Sequence, residues 1–173
     1  GRDRHRLEKL AAHASVPVKF LGQVPEADMA DFYGCADVFA LCCRSRWWGL
    51  EQEGFGMVLV EAAAAGVPCI TIDSGGAGEA VTHGETGLVV GAGRLEAGPR
   101  SGGQAEGREP EKAAQVAGVA DALVSVLSNA ALARRMGEAG RRRTEGELSY
   151  DILALKLAEA LEQLCGRGRG HGA

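Results

Sequence analysis

Residues 56–72 read GMVLVEAAAAGVPCITI. The first ten have the length and apolar content of a buried helix. Gly66-Val67-Pro68 stops it, and Cys69-Ile70-Thr71-Ile72 then forms a compact strand with no polar face. Such a strand needs cover on both sides, which points to a parallel sheet between helices. The same alternation extends outward. Upstream, the pattern predicts a helix over 4–14, a strand at Val18-Lys19-Phe20-Leu21 ended by Gly22, and an amphipathic helix over 27–36. Met29, Phe32 and Tyr33 give that helix its apolar face, and a strand over 38–42 follows. Downstream, Gly75 and Gly76 turn the chain into a short helix over 77–81, and TGLVV at 86–90 is the next strand. The fold class is therefore α/β: a Rossmann-like parallel sheet with helices on both faces.

Residues 1–90 form the expected core. The texture changes at GAGRLEAGPRSGGQAEGREPEK (91–112), which has no hydrophobic period and reads as a flexible low-complexity insertion. Helical spacing returns over 113–165, in segments at 116–127, 130–139 and 147–164 that complete the domain. The tail from 166 to 173 has nothing to bury and is expected to be disordered. Arg141-Arg142-Arg143 reads as a solvated face complementing a helix dipole.

The chain is long enough for one domain with an ordinary core, and its net charge of −4 gives no pointer to nucleic acid. Five cysteines (Cys35, Cys42, Cys43, Cys69, Cys165) form no C-x-x-C pair, and His5, His13, His83 and His171 supply no zinc spacing. No metal is expected, and reduced thiols suit a cytoplasmic protein. No apolar run reaches membrane-spanning length, and the N-terminus lacks the hydrophobic segment of a signal peptide. It begins with Gly rather than Met and reads as a fragment or a processed chain.

Two carboxylates frame the helix. Glu53 precedes it in a glycine-rich turn, and Glu61 lies in its apolar run, about 7 Å further along the axis. Neighbours of Glu61 three and four positions away (Met57, Val58, Ala64, Ala65) offer it no partner, so a satisfying group must come from elsewhere. Open parallel sheets bind ligands at the carboxyl ends of their strands, and the first amides of a helix seat phosphate. Gly54 and Gly56 permit close approach. A diphosphate there would have a carboxylate on either side, each able to accept from sugar hydroxyls, an arrangement that fits a nucleotide-sugar. Alternatively, Glu61 takes a distant Arg or a backbone N–H, and Glu53 is a solvated turn residue. GGAGEA (75–80) lacks the third glycine of a dinucleotide fingerprint and reads as a turn into a helix with Glu79 in its first turn. Thr71 and Asp73 are at most adjacent to the site.

The run EGFGMVLVE (53–61), followed by AAAAGVPCI and SGGAGEAVTHGETGLVV, resembles the donor half of retaining glycosyltransferases of the GT-B fold, which carry a Glu-x(7)-Glu signature. VKFLGQVPEADMADFYGCADVFALC upstream and ALARRMGEAGRRRTEGELSYD downstream continue the likeness over nearly the whole chain outside the insertion and tail. Within the family, CRSRWWGLEQEGFG is similar to bacterial mannosyltransferases that act on phosphatidylinositol mannosides and use GDP-mannose. The resemblance implies that Glu53 holds donor-sugar hydroxyls and that the amides of Phe55, Gly56 and Met57 contact sugar and diphosphate. It puts Glu61 on the ribose and the base near Gln23 and Val24. It implies no cofactor and no metal, a nucleotide-sugar as donor, and transfer with retention at the anomeric carbon. A glycolipid acceptor at the inner face of the membrane is implied as partner, together with an acceptor domain preceding this chain. The family's diphosphate-binding Arg and Lys have no counterpart here. Arg44 and Arg46 lie in a loop that could approach a phosphate, although exposed loop arginines are more often solvated. Trp47 and Trp48 could stack on a sugar, touch lipid or pack on the preceding domain. A non-catalytic sugar-nucleotide-binding module and a sugar-nucleotide epimerase are the competing readings.

Overall fold

The structure, a computed structural model, describes residues 3–14, 16–43, 53–91 and 109–168. Its centre is a parallel three-stranded sheet, β1 (Phe39–Leu41), β2 (Cys69–Ile72) and β3 (Gly87–Val90), in the order β1-β2-β3. Phe39 lies opposite Cys69, and Cys69 opposite Gly87. The helices are α1 (Arg4–Ala12), α2 (Met29–Gly34), α3 (Met57–Ala64), α4 (Ala77–Ala80), α5 (Glu109–Leu127), α6 (Ala130–Arg143) and α7 (Tyr150–Gly168).

Every residue of β2 is buried, as its apolar composition requires of a central strand covered on both faces. Alternation splits the core in two. Cys69 and Val89 pack with Leu59, Val60, Ala62 and Ala63 of α3 and Ala77 and Ala80 of α4. Ile70, Leu88 and Val90 point the other way, onto Ala122 and Val126 of α5 and Met136 of α6. The one hydroxyl inside β2 is satisfied: Thr71 Oγ1 donates to the Leu41 carbonyl at 2.9 Å. At the expected stop, Gly66 adopts φ +78° and donates to the Ala63 carbonyl, while Val67 donates to that of Ala62, which closes α3 and turns the chain into β2.

Several expectations need correction. Val18–Leu21 is no strand: a strand exists only as part of a ladder, and this stretch has none among the described residues. Its Val18 and Leu21 are each 51% exposed. The helix over 27–36 is a 3-10 turn (Glu26–Asp28) running into α2, on which Met29 and Tyr33 are half-buried but Phe32 is exposed. Helix α5 begins at Glu109, inside the stretch assigned to the insertion. Helix α7 runs to Gly168, past the start assigned to the tail. Arg143 is not on a solvated face. It turns inward and donates from Nη1 to the Ala80 carbonyl (2.8 Å) and from Nη2 to that of Glu79 (3.0 Å), supplying the acceptors at the end of α4 with a cation. Arg141, by contrast, is exposed and pairs with Glu145 at 2.8 Å.

Among the described residues no single helix is long and apolar enough to cross a membrane. All five cysteines are free, with Cys35, Cys42 and Cys165 exposed, Cys43 half-buried and Cys69 buried. The Cys69 thiol donates to the Leu59 and Val67 carbonyls, and burial pushes its pKa from 9.0 up to about 12. The folded protein therefore keeps a proton that the unfolded chain loses above its ordinary value. This contribution to stability is complete below pH 9.0 and is lost as pH rises toward 12. A thiol-directed reagent at pH 8 is expected to label the exposed Cys35, Cys42 and Cys165 well before Cys69, which should react only on unfolding. Cys69 reacting as fast as these three would contradict this packing.

Candidate functional site

Because the strands are parallel, the loops leaving β1 and β2 emerge at the same end of the sheet. There the turn before α3 lies on the turn before α4. Gly76 N–H donates to the Glu53 carbonyl at 3.0 Å. A Cβ at Gly76 would fall 1.8 Å from the Gly54 carbonyl oxygen and 3.3 Å from Phe55 Cα, so the two backbones are in direct contact. Gly56 then starts the helix in a left-handed conformation (φ +75°, ψ +54°), which glycine adopts without the penalty a Cβ brings. The residue is buried, and Leu59 N–H donates to its carbonyl at 2.8 Å.

Glu53 is held at both oxygens. Its Oε1 accepts from the Gly56 N–H at 3.1 Å, and its Oε2 from the Cys43 thiol at 3.7 Å. Burial first, then the nearby Glu53 charge, push the Cys43 pKa up, which keeps the thiol protonated and a donor. The solvated-turn alternative for Glu53 is thereby set aside. An ionised carboxylate has about four acceptor positions, and the described residues take two of them. The Gly56 amide, expected to face the sugar and diphosphate, is instead taken by Glu53. A helix-initiating donor beside a loop carboxylate is satisfied locally. The Met57 N–H has, by position, no acceptor within the helix. Phe55 is half-buried against the α3 side of the core, and Met57 is 42% exposed.

Glu61 departs from its expected setting. The helix buries Leu59, Val60, Ala62 and Ala63, while Glu61 is exposed with Met57 and Ala64. The alanines made its surroundings read as apolar on every side. Among the described residues its partner is Tyr33 of α2, whose hydroxyl donates to Glu61 Oε2 at 2.9 Å, rather than an arginine or a backbone amide. Sequence reasoning missed Tyr33, Cys43 and the close approach at Gly76. For Tyr33 a signal existed, since a tyrosine on an apolar helix face carries a hydroxyl that must find an acceptor. Gln23 is exposed and Val24 half-buried in the stretch before the 3-10 turn. That turn packs on α2 and α2 on α3, so they stand two elements away from Glu61. Arg44, Arg46, Trp47 and Trp48 lie outside the described residues. Among the described residues no group of three or more His, Cys, Asp or Glu is arranged to hold a metal ion.

The arrangement provides a helix start with positive potential, one carboxylate fixed beside it and a second further along. It can hold an anion and accept from hydroxyls on either side. The chain is similar to several known proteins. It is 40% identical over 157 residues to the GDP-mannose-dependent alpha-(1-6)-phosphatidylinositol monomannoside mannosyltransferase of Mycobacterium tuberculosis, covering 90% of this chain and 35% of that protein. To the GDP-mannose-dependent monoacylated alpha-(1-6)-phosphatidylinositol monomannoside mannosyltransferase of Corynebacterium glutamicum it is 37% identical over 162 residues, covering 94% and 37%. The chain thus spans little more than a third of the length of these curated relatives. Among solved structures, sucrose-phosphate synthase of Thermosynechococcus elongatus superposes with a TM-score of 0.68 at 27% identity, covering 96% of this chain and 35% of that one. The family model described as glycosyl transferases group 1 matches residues 1–97, more than half of the sequence. Sheet, helices and sequence agree, and the chain belongs to the glycosyl transferases group 1, the glycosyltransferases of the GT-B fold.

Proposed function

We propose that this chain is the donor-binding half of a retaining mannosyltransferase that takes mannose from GDP-mannose to a glycolipid acceptor. The observation that carries the reading is the immobilised Glu53 at the start of α3, with Glu61 further along the same helix. In this reading the diphosphate lies at the helix start, Glu53 accepts from mannose hydroxyls and Glu61 from the ribose. The base lies toward Gln23 and Val24. The bond between the anomeric carbon and the diphosphate oxygen breaks while the acceptor oxygen bonds to the same face of that carbon. The acceptor's proton passes to the departing phosphate. Backbone amides and the helix dipole stabilise the charge that develops on the diphosphate, so the reading needs neither metal nor cofactor. The acceptor domain, and the cations that would complete the diphosphate site, belong to the part of the protein beyond this chain. A glycolipid acceptor places the reaction at the cytoplasmic face of the membrane. The names of the similar mannosyltransferases support the choice of sugar and base.

The test uses the complete protein. Its thermal midpoint is expected to rise more with GDP-mannose than with UDP-glucose or ADP-glucose, and an added phosphatidylinositol mannoside is expected to yield an α-linked product. A larger response to UDP- or ADP-sugars would overturn the donor assignment. An isomerised sugar nucleotide without transfer would make the protein an epimerase. Binding without any product would favour the non-catalytic module.

A further inference from the structure

Glu61 is exposed on a helix whose own side chains offer it nothing, and an exposed glutamate ordinarily samples many rotamers. Here one oxygen is pinned. The Tyr33 hydroxyl donates to Oε2 at 2.9 Å across 28 positions of sequence, from a helix that packs directly on α3. The tyrosine ring is itself located by a second contact. It meets Phe39, the first residue of β1, edge to face, with centroids 5.5 Å apart and planes at 75°. The sheet thus fixes the ring, the ring fixes the hydroxyl, and the hydroxyl fixes the carboxylate. Burial foremost, and then the bond to Glu61 and its charge, push the tyrosine pKa up to about 12, so it remains a donor throughout the neutral range.

We propose that Tyr33 is a positioning residue for the nucleotide ribose: by holding Glu61 Oε2 it presents the remaining acceptor positions of the carboxylate in the geometry two neighbouring ribose hydroxyls require. This rests on the reading that Glu61 takes the ribose. The fold does not need the hydroxyl, because Tyr33 contributes to packing through its ring, which meets Phe39 and borders the buried cluster around α3. An exposed carboxylate also needs no protein partner to remain ionised. The bond's consequence is preorganisation: the side-chain freedom Glu61 would lose on binding is lost beforehand.

The experiment is calorimetric titration of the complete protein with GDP and with 2′,3′-dideoxy-GDP, for wild type, Tyr33→Phe and Glu61→Ala. Tyr33→Phe keeps the ring against Phe39, and its thermal midpoint is expected to stay near wild type. Losing one hydrogen bond of ordinary strength is expected to weaken GDP binding about three- to tenfold and to leave dideoxy-GDP unchanged. A loss shared equally by both nucleotides, or no loss for either, would overturn the proposal. Glu61→Ala separates it from the reading beneath it. If that variant discriminates between the two nucleotides and Tyr33→Phe does not, Tyr33 is dismissed and the ribose assignment stands. If Glu61→Ala does not discriminate either, the ribose assignment itself falls, and Tyr33 with it.

Discussion

Gly76→Ala in the complete protein is expected to weaken nucleotide-sugar binding about ten- to a hundredfold, while Gly78→Ala, two residues later, leaves it at wild-type strength. Both glycines come from the same hexapeptide, GGAGEA, and the contrast is one of space. The backbone at Gly76 (φ −84°, ψ −1°) suits any residue, so an alanine would meet no torsional strain there. Its methyl, however, would stand 1.8 Å from the Gly54 carbonyl oxygen and 2.9 Å from the carbonyl carbon. Both are backbone atoms and cannot swing aside as a side chain can. The turn carrying Glu53 must lift, and the bond from the Gly76 amide to the Glu53 carbonyl is lost as it does. With the turn goes the carboxylate that Gly56 and Cys43 hold, and losing its hydrogen bonds to the sugar, each worth about 1.5–3 kcal/mol for a charged acceptor, gives losses of this order. Overpacking of this kind costs about 1–3 kcal/mol of stability, which leaves a protein able to fold. At Gly78 the nearest atoms to an added Cβ are Asp73 Oδ1 at 3.7 Å and Val89 Cγ1 at 4.0 Å, both ordinary contacts. Alanine also favours the helix there. Equal affinities for the donor in the two variants would show that the contact between the turns does not position the site.

These loops also mark how far the sequence could be read. Cys69–Ile72 and Gly87–Val90 were legible because a strand covered on both faces is largely apolar, and the stop at Gly66 because few residues other than glycine close a helix in the left-handed conformation. Val18–Leu21 misled for a related reason. Its composition satisfies a strand, but composition says nothing about whether a neighbouring strand stands ready to form the ladder. Glu53 and Glu61 could be found because they bracket a helix start, a relation local in sequence. What holds them could not. Tyr33 reaches Glu61 across two elements, Cys43 reaches Glu53 from the end of β1, and Gly76 meets Gly54 only because two turns share one edge of the sheet. Each depends on the tertiary arrangement, which hydrophobic periodicity does not encode. The exposure of Glu61 was hidden by alanine, which serves equally on a buried and an open helix face. Arg143 belongs with these: in sequence it is the third of three arginines, and only packing of α6 near α4 separates it from its neighbours.

Glu53→Gln is expected to divide the two halves of the donor. Glutamine has nearly the shape of glutamate and keeps one oxygen that can accept from the Gly56 N–H, so the turn and the start of α3 should persist. What disappears is the negative charge, together with the second acceptor oxygen that now receives the Cys43 thiol. Under the proposed function that carboxylate accepts from mannose hydroxyls. A hydrogen bond to a charged group is worth about 1.5–3 kcal/mol, so a nucleotide-sugar should bind about ten- to a hundredfold more weakly. Free GDP carries no sugar for Glu53 to hold. Its affinity should fall little, or rise, because a negative charge has been removed from beside the diphosphate. The measurement is calorimetric titration of the complete protein with GDP and with GDP-mannose, alongside the thermal midpoint of each variant. Parallel losses for the two ligands at an unchanged midpoint would mean that Glu53 acts on the diphosphate or through the turn alone. A GDP-mannose affinity equal to wild type would take the residue out of the sugar site. A selective loss for GDP-mannose is what a carboxylate fixed by Gly56 and Cys43, with acceptor positions to spare, should produce.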